Sequence, residues 1–327
     1  MNRFTPHSAR NSILDWAEQG RVPDDRLREA LHMAEALPTP DAWRRFVDRL
    51  LLFVGATMLA AAVIFFFAFN WQGLDRFAKF ALAEIPIVAA LVGLWRFGVD
   101  SLAGKATLLA VSLLTGALLA LVGQTYQTGA DTFELFAVWA LAILPWTLIA
   151  RFPALWILWL TITNLAVLLY LTTFRPFALL FGPSDEAMWA LFLVNTVALG
   201  LWELFAREGL QWLRVRWATR LIATASTGLI TPLVLQAIFD SSDRNLASVP
   251  VWLAFLAAAY AIYRRRLKDV YMLALGVLSA IVVITAAMTH AIASAGAGAF
   301  LLIGLLVIGL SAAGGYWLKQ VAQEDEA

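Results

Sequence analysis

Glu84 is the residue whose type and position most demand a chemical explanation. It stands about eight residues into an apolar run, close to mid-bilayer at ~1.5 Å of rise per residue. Charge there is costly, so the first expectation is a functional or paired group. A carboxyl at that depth could take up a proton or a cation. It could equally be a protonated or hydrogen-bonded structural residue. Pro86 follows two residues later, removes a backbone donor and can kink the helix beside the carboxyl. Lys79 comes five residues earlier, about 140° round a helix, and so does not share the face of Glu84. It can snorkel outward or meet Asp75 one turn before it. Asn164 and Asn195 sit near the middle of two other apolar runs. Interhelical hydrogen bonding is the usual work of such residues, with substrate contact the alternative. Glu203, near the end of its run, is expected to reach the membrane interface.

A second candidate lies in the loop Gly123-Gln124-Thr125-Tyr126-Gln127-Thr128-Gly129-Ala130-Asp131. It has no basic residue, and its two glycines allow a sharp turn. Gln124, Tyr126, Gln127 and Asp131 could line an outer vestibule or meet a partner, or simply form a polar connection. Segment 207–219 interleaves basic and apolar residues and reads either as an ordinary basic loop or as a stretch lying on an anionic leaflet. In the last apolar run Gly309 with Ala313, and Ser311 with Gly315, are small residues four apart that permit close helix contact.

Much chemistry is excluded. The chain has no cysteine, so disulfides, thiolate catalysis and Cys-held metal are out. Its three histidines, His7, His32 and His290, are scattered, and no metal site is expected. Gly104-Lys105 is not a phosphate loop, because Val99 and Ala106 occupy positions that the motif reserves for Gly and Ser or Thr. No hydrolase motif is present, an enzyme is not expected, and no cofactor is implied.

The elements that must position these residues follow from composition. Of 327 residues 61% are hydrophobic, with a mean hydropathy of +0.75 and 14% charged residues. Soluble domains run near ~45–50% apolar and ~25% charged. Runs at roughly 50–70, 76–96, 104–123, 133–150, 154–173, 187–206, 220–239, 249–263, 270–289 and 295–317 read as about ten membrane helices. Threaded with the N-terminus inside, this places every Lys and Arg of the 24 on the inner side except Arg76, Lys79, Arg175 and Arg244. Losing one span would invert everything after it. The basic residues are therefore explained by topology, and no nucleic-acid partner is expected. Trp71, Trp95, Trp156, Trp202, Trp252 and Trp317 fall near the expected interfaces, as amphipathic rings prefer.

Residues 1–48 read as a cytoplasmic helical segment, 49–318 as the membrane domain and 319–327 as a polar tail. Gly20 ends a first short helix. Pro23 and Asp24 open a second, whose Leu27, Leu31 and Ala34 make one apolar face. Pro38 and Pro40 then break the chain, and Asp41 caps a helix that runs through Arg44, Arg45 and Arg49 into the first span. The segment carries no signal peptide.

The Gly123–Asp131 loop, followed by Leu135 and Trp139, resembles a family of bacterial inner-membrane proteins catalogued as domain of unknown function 2157. Gly55 and the run Phe67-Ala68-Phe69-Asn70-Trp71 carry the same resemblance, which covers residues 10–170. It implies architecture and draws attention to the loop, and it brings no activity. The expectation is thus an all-α polytopic membrane protein in a bacterial inner membrane, both termini cytoplasmic. It would act through a protein partner held by the N-terminal helices or the outer loop. The alternative is a small-molecule or ion transporter with Glu84 as its proton-coupling carboxylate, and a membrane-embedded enzyme ranks last. Glu84, Asn164 and Asn195 lining one cavity would favour transport.

Overall fold

The computed structural model is all-α and describes residues 6–34, 40–70, 75–173, 184–239, 246–292 and 297–324. Pro38, Trp71, Arg175 and Arg244 lie outside the described residues. Twelve α-helices occur among those described: α1 Pro6–Glu18, α2 Asp24–Met33, α3 Pro40–Asn70, α4 Arg76–Phe97, α5 Leu102–Tyr126, α6 Thr132–Ala150, α7 Pro153–Thr172, α8 Asp185–Arg207, α9 Arg216–Phe239, α10 Ser248–Arg265, α11 Val270–Ala291 and α12 Ala297–Gln323.

Eight of them (α4 to α9, α11 and α12) are long and apolar enough to cross a bilayer. The protein is a multi-pass membrane protein. The remaining two expected spans are helical as well. One falls in α3, whose first turns carry Asp41, Arg44, Arg45, Asp48 and Arg49, and the other is α10, which is 18 residues long and ends in Arg264 and Arg265. The break expected at Pro38 and Pro40 falls between α2, which ends at Met33, and α3, which Pro40 opens. Pro40 is the first residue of α3, where a missing N–H costs nothing. That helix runs through the boundary expected at residue 48, and α12 runs through the one at 318.

Two hubs organise the bundle. α5 packs against α3, α4, α6 and α7, and α9 packs against α7, α8, α10 and α11. Both hubs bury residues along much of their length. The α5–α6 contact needs Gly116, because a Cβ there would meet the Trp139 ring at 2.4 Å. The Trp139 indole N–H is held in turn by the Ser112 carbonyl at 2.7 Å. At the periphery, α4 and α12 keep most of their apolar residues exposed, as helices bordered by lipid do. The small residues of α12 are exposed too; Gly309 and Gly315 face open space, and only Gly314 approaches α11, at Val277.

Two tryptophans expected at the interfaces are core residues instead. Trp202 and Trp252 are each 7% exposed. Their indole N–H groups donate to the Leu213 carbonyl at 2.8 Å and to Ser279 Oγ at 2.9 Å. A tryptophan can be buried when its one polar atom finds a partner, and these two do. α1 and α2 pack on each other, with Ile13 buried and Trp16 and Met33 exposed.

Candidate functional site

The densest polar constellation lies where α8 ends and α9 begins. Gly209, at φ +106°, turns the chain out of α8 through a backbone conformation that favours glycine. A short 3-10 helix, Gln211–Arg214, follows. The Trp202 indole fastens that turn, and Arg216 comes to lie beside Glu203. On the other side, Lys268 at φ +39° reverses the chain between α10 and α11. Asp269 then caps α11, accepting from the backbone N–H groups of Tyr271 at 3.1 Å and Met272 at 3.4 Å.

These two turns bring four charged side chains together. Arg216 donates from Nη1 to Glu203 Oε1 at 3.0 Å and from Nε to Asp269 Oδ2 at 2.9 Å. Arg220, one helical turn further along α9, donates from Nη2 to Asp269 Oδ1 at 3.2 Å. The Tyr263 hydroxyl donates to Glu203 Oε1 at 3.1 Å. Two rings back the guanidiniums, Tyr263 under Arg216 and Tyr271 under Arg220. Glu203 and Asp269 are buried, at 6% and 4% exposure. Two carboxylates face two guanidiniums, so charge is balanced where isolated charge would be prohibitive.

Asn164 and Asn195 are joined. Asn195 Nδ2 donates to Asn164 Oδ1 at 2.6 Å, and Asn164 Nδ2 returns toward Asn195 Oδ1 at 3.4 Å. Each amide also donates to the carbonyl one turn before it, Leu160 or Leu191. This reciprocal pair ties α7 to α8 and is the interhelical bonding that amides inside membranes commonly provide.

Glu84 belongs to neither group. It is exposed on α4, in a stripe with Phe77, Ile85, Val88 and Trp95 that points away from α5. Its carboxylate has no hydrogen-bond or ion-pair partner among the described residues. Lys79 is half-buried one turn into the helix. Asp75 caps α4 by accepting from the Ala78 N–H at 2.7 Å. The structure therefore does not gather Glu84, Asn164 and Asn195 into one cavity.

The 123–131 loop borders an open hollow of about 660 Å³ that Gln124 and Asp131 line. Gln127 ends α5 in a left-handed conformation at φ +45°, and Gly129 repeats that sign at φ +67°. Asp131 opens α6, its own N–H donating to Glu134 Oε2 at 3.1 Å. With the Asp131 side chain accepting in return from the Glu134 backbone N–H, this is a capping box. The Tyr126 ring sits 5.8 Å from that of Phe80 on α4. Of the four residues singled out here, Gln127 and Asp131 thus shape the turn itself, and Tyr126 packs on a neighbouring helix.

Residues 14–156 match the family model of predicted membrane proteins, domain of unknown function 2157. No curated protein and no solved structure matches the chain. The segment shared with the DUF2157 family takes in Glu84, Lys79, the 123–131 loop and the Gly116–Trp139 contact. It stops at the start of α7. Asn164, Asn195 and the whole charged cluster lie beyond it.

Sequence reading missed Tyr263 and Asp269 altogether and took Glu203 to reach the interface. Arg216 and Arg220 counted only as topology signals. Their partners stand 13 to 53 residues away in sequence, and Tyr263 stands 60 from Glu203, so no local period connects them. One signal was there: arginines at positions 216 and 220 share a helix face, and a shared face of two cations implies an anion opposite.

Proposed function

We propose that this protein is a membrane component acting through a protein partner, and that the partner presents a membrane helix to the outward face of α4. The observation behind this reading is Glu84. It stands exposed in an otherwise apolar stripe on a helix built to cross the bilayer. A carboxyl group left to lipid is costly, and a covering helix that offers a hydrogen-bond donor removes the cost. The exposed Trp16 and Met33 on α1 and α2, and the open hollow beside Asp131, are further surfaces outside the bundle core.

The topology that fits this role is ten spans, with α3 and α10 as the first and eighth and both termini in the cytoplasm of a bacterial cell. The distribution of Lys and Arg supports it. The carrier reading is the weaker one. It asks for Glu84 in a shared polar cavity, and Glu84 stands apart from the Asn164–Asn195 pair.

A photo-crosslinking residue at Val88, beside Glu84 on the exposed stripe, tests the reading in cells. Ala83, 4% exposed, is the control position on the same helix. A discrete protein adduct from position 88, reduced by Glu84→Leu and absent from position 83, is the expected result. Only lipid adducts at position 88 would overturn it. So would proton-driven flux in liposomes that Glu84→Gln abolishes, which would restore the carrier.

A further inference from the structure

Between α8 and α10, floored by α9 and α11, lies a cavity of about 370 Å³. It falls within the ~300–1,000 Å³ typical of small-molecule sites. Its walls are almost wholly apolar. The exceptions matter. Thr196, Thr227 and Tyr263 line it, as do Glu203 and, one helical turn toward the end of α8, Arg207. From Thr196 at one end of the lining to Arg207 at the other, α8 advances about 16 Å.

Glu203 uses one oxygen for the charged cluster. Oε1 accepts from both Arg216 and Tyr263. Oε2 accepts from nothing among the described residues, although the side chain is only 8% exposed. A carboxylate oxygen without a donor, on a side chain that lines a cavity, is a position that a ligand can satisfy. The negative charge itself is already matched by Arg216, so a second full cation is not what the site lacks. It lacks a neutral donor such as a hydroxyl. Arg207 is exposed and makes no ion pair among the described residues, which leaves a cation at the cavity mouth.

We propose that this cavity binds a single-chain anionic amphiphile with a hydroxyl next to its charged group, the chemistry of a lysophospholipid. The acyl chain lies among the apolar walls. The hydroxyl donates to Glu203 Oε2, and the phosphate sits against Arg207. This assignment is independent of the α4 partner, since it uses different helices and residues.

The test is native mass spectrometry of the full chain in detergent, titrated with lysophosphatidic acid. Two comparison probes are the same lipid without its free glycerol hydroxyl and diacyl phosphatidic acid. Wild type should bind lysophosphatidic acid at least tenfold tighter than either. Arg207→Gln should weaken binding about tenfold. Gly200→Leu, at an exposed position lining the cavity where an added Cβ meets nothing within 4 Å, should fill the space and abolish binding. Neither substitution touches the charged cluster, so folding is preserved. Equal binding of the deoxy probe would overturn the role of Glu203 Oε2. Equal binding of the diacyl lipid, or binding unchanged in Gly200→Leu, would overturn the site.

Discussion

At the turn between α8 and α9, Glu203 and Asp269 each reach a guanidinium within 3.0 Å, and Tyr263 adds a further donor to Glu203. On α4, Glu84 reaches none among the described residues. Both regions put carboxylates on helices of a membrane protein, and they deal with the cost in opposite ways. The C-terminal helices settle it internally, by turns that deliver arginines from elsewhere in the chain. The N-terminal helices leave it on the surface, without a partner among the described residues. An intramembrane carboxylate therefore identifies a function only once its neighbours are known.

The sharpest way to break this contrast is to remove Asp269. Asp269→Ala strands Arg220, leaves Arg216 to Glu203 alone and uncaps α11, and the loss should be about 3–5 kcal/mol, as for a broken buried pair. Glu84→Leu in the same detergent should leave stability unchanged or raise it. Thermal unfolding of both variants decides the matter, and comparable losses would collapse the distinction.

Gly116→Ala ranks next. It drives a methyl group into a Trp139 ring that its bond to Ser112 holds in place, at a cost of about 1–3 kcal/mol. A wild-type melting temperature for this variant would show that α5 and α6 are not packed as described.

The amide pair is weaker. A double-mutant cycle on Asn164→Ala and Asn195→Ala should return a coupling of about 0.6–1.7 kcal/mol. The smallest effect belongs to the 123–131 loop. Asp131→Ala disturbs only an exposed cap and should cost about 0.5–1 kcal/mol. A larger loss there would mean that the loop, and not the cluster, holds its half of the bundle.

Helix positions were legible in the sequence because lipid as a solvent forces long apolar runs. The landmarks of the 123–131 loop were legible because polar residues stand out among apolar ones. Pairings were not. Asn164 could be read as an interhelical donor, but Asn195 as its acceptor depends on how α7 lies against α8. Glu203 looked like an interface residue because it sits near a helix end. Its partners come from elsewhere in the chain, Arg216 from the start of α9 and Tyr263 from α10. Trp202 and Trp252 misled for a related reason. Their distance along the helix suits an interface ring, and only the packing reveals the carbonyl and hydroxyl that receive their N–H groups.

The length of α3 carries a consequence of its own. Its 31 residues extend about 46 Å, against ~30 Å of hydrocarbon. In the ten-span topology proposed above, an upright α3 stands roughly 16 Å proud of the lipid as an uninterrupted stalk, with its charged first turns at the tip. Whatever grips that tip holds a lever whose other arm lies against α5, so a tug or twist delivered in the water can be felt at the hub of the N-terminal helices.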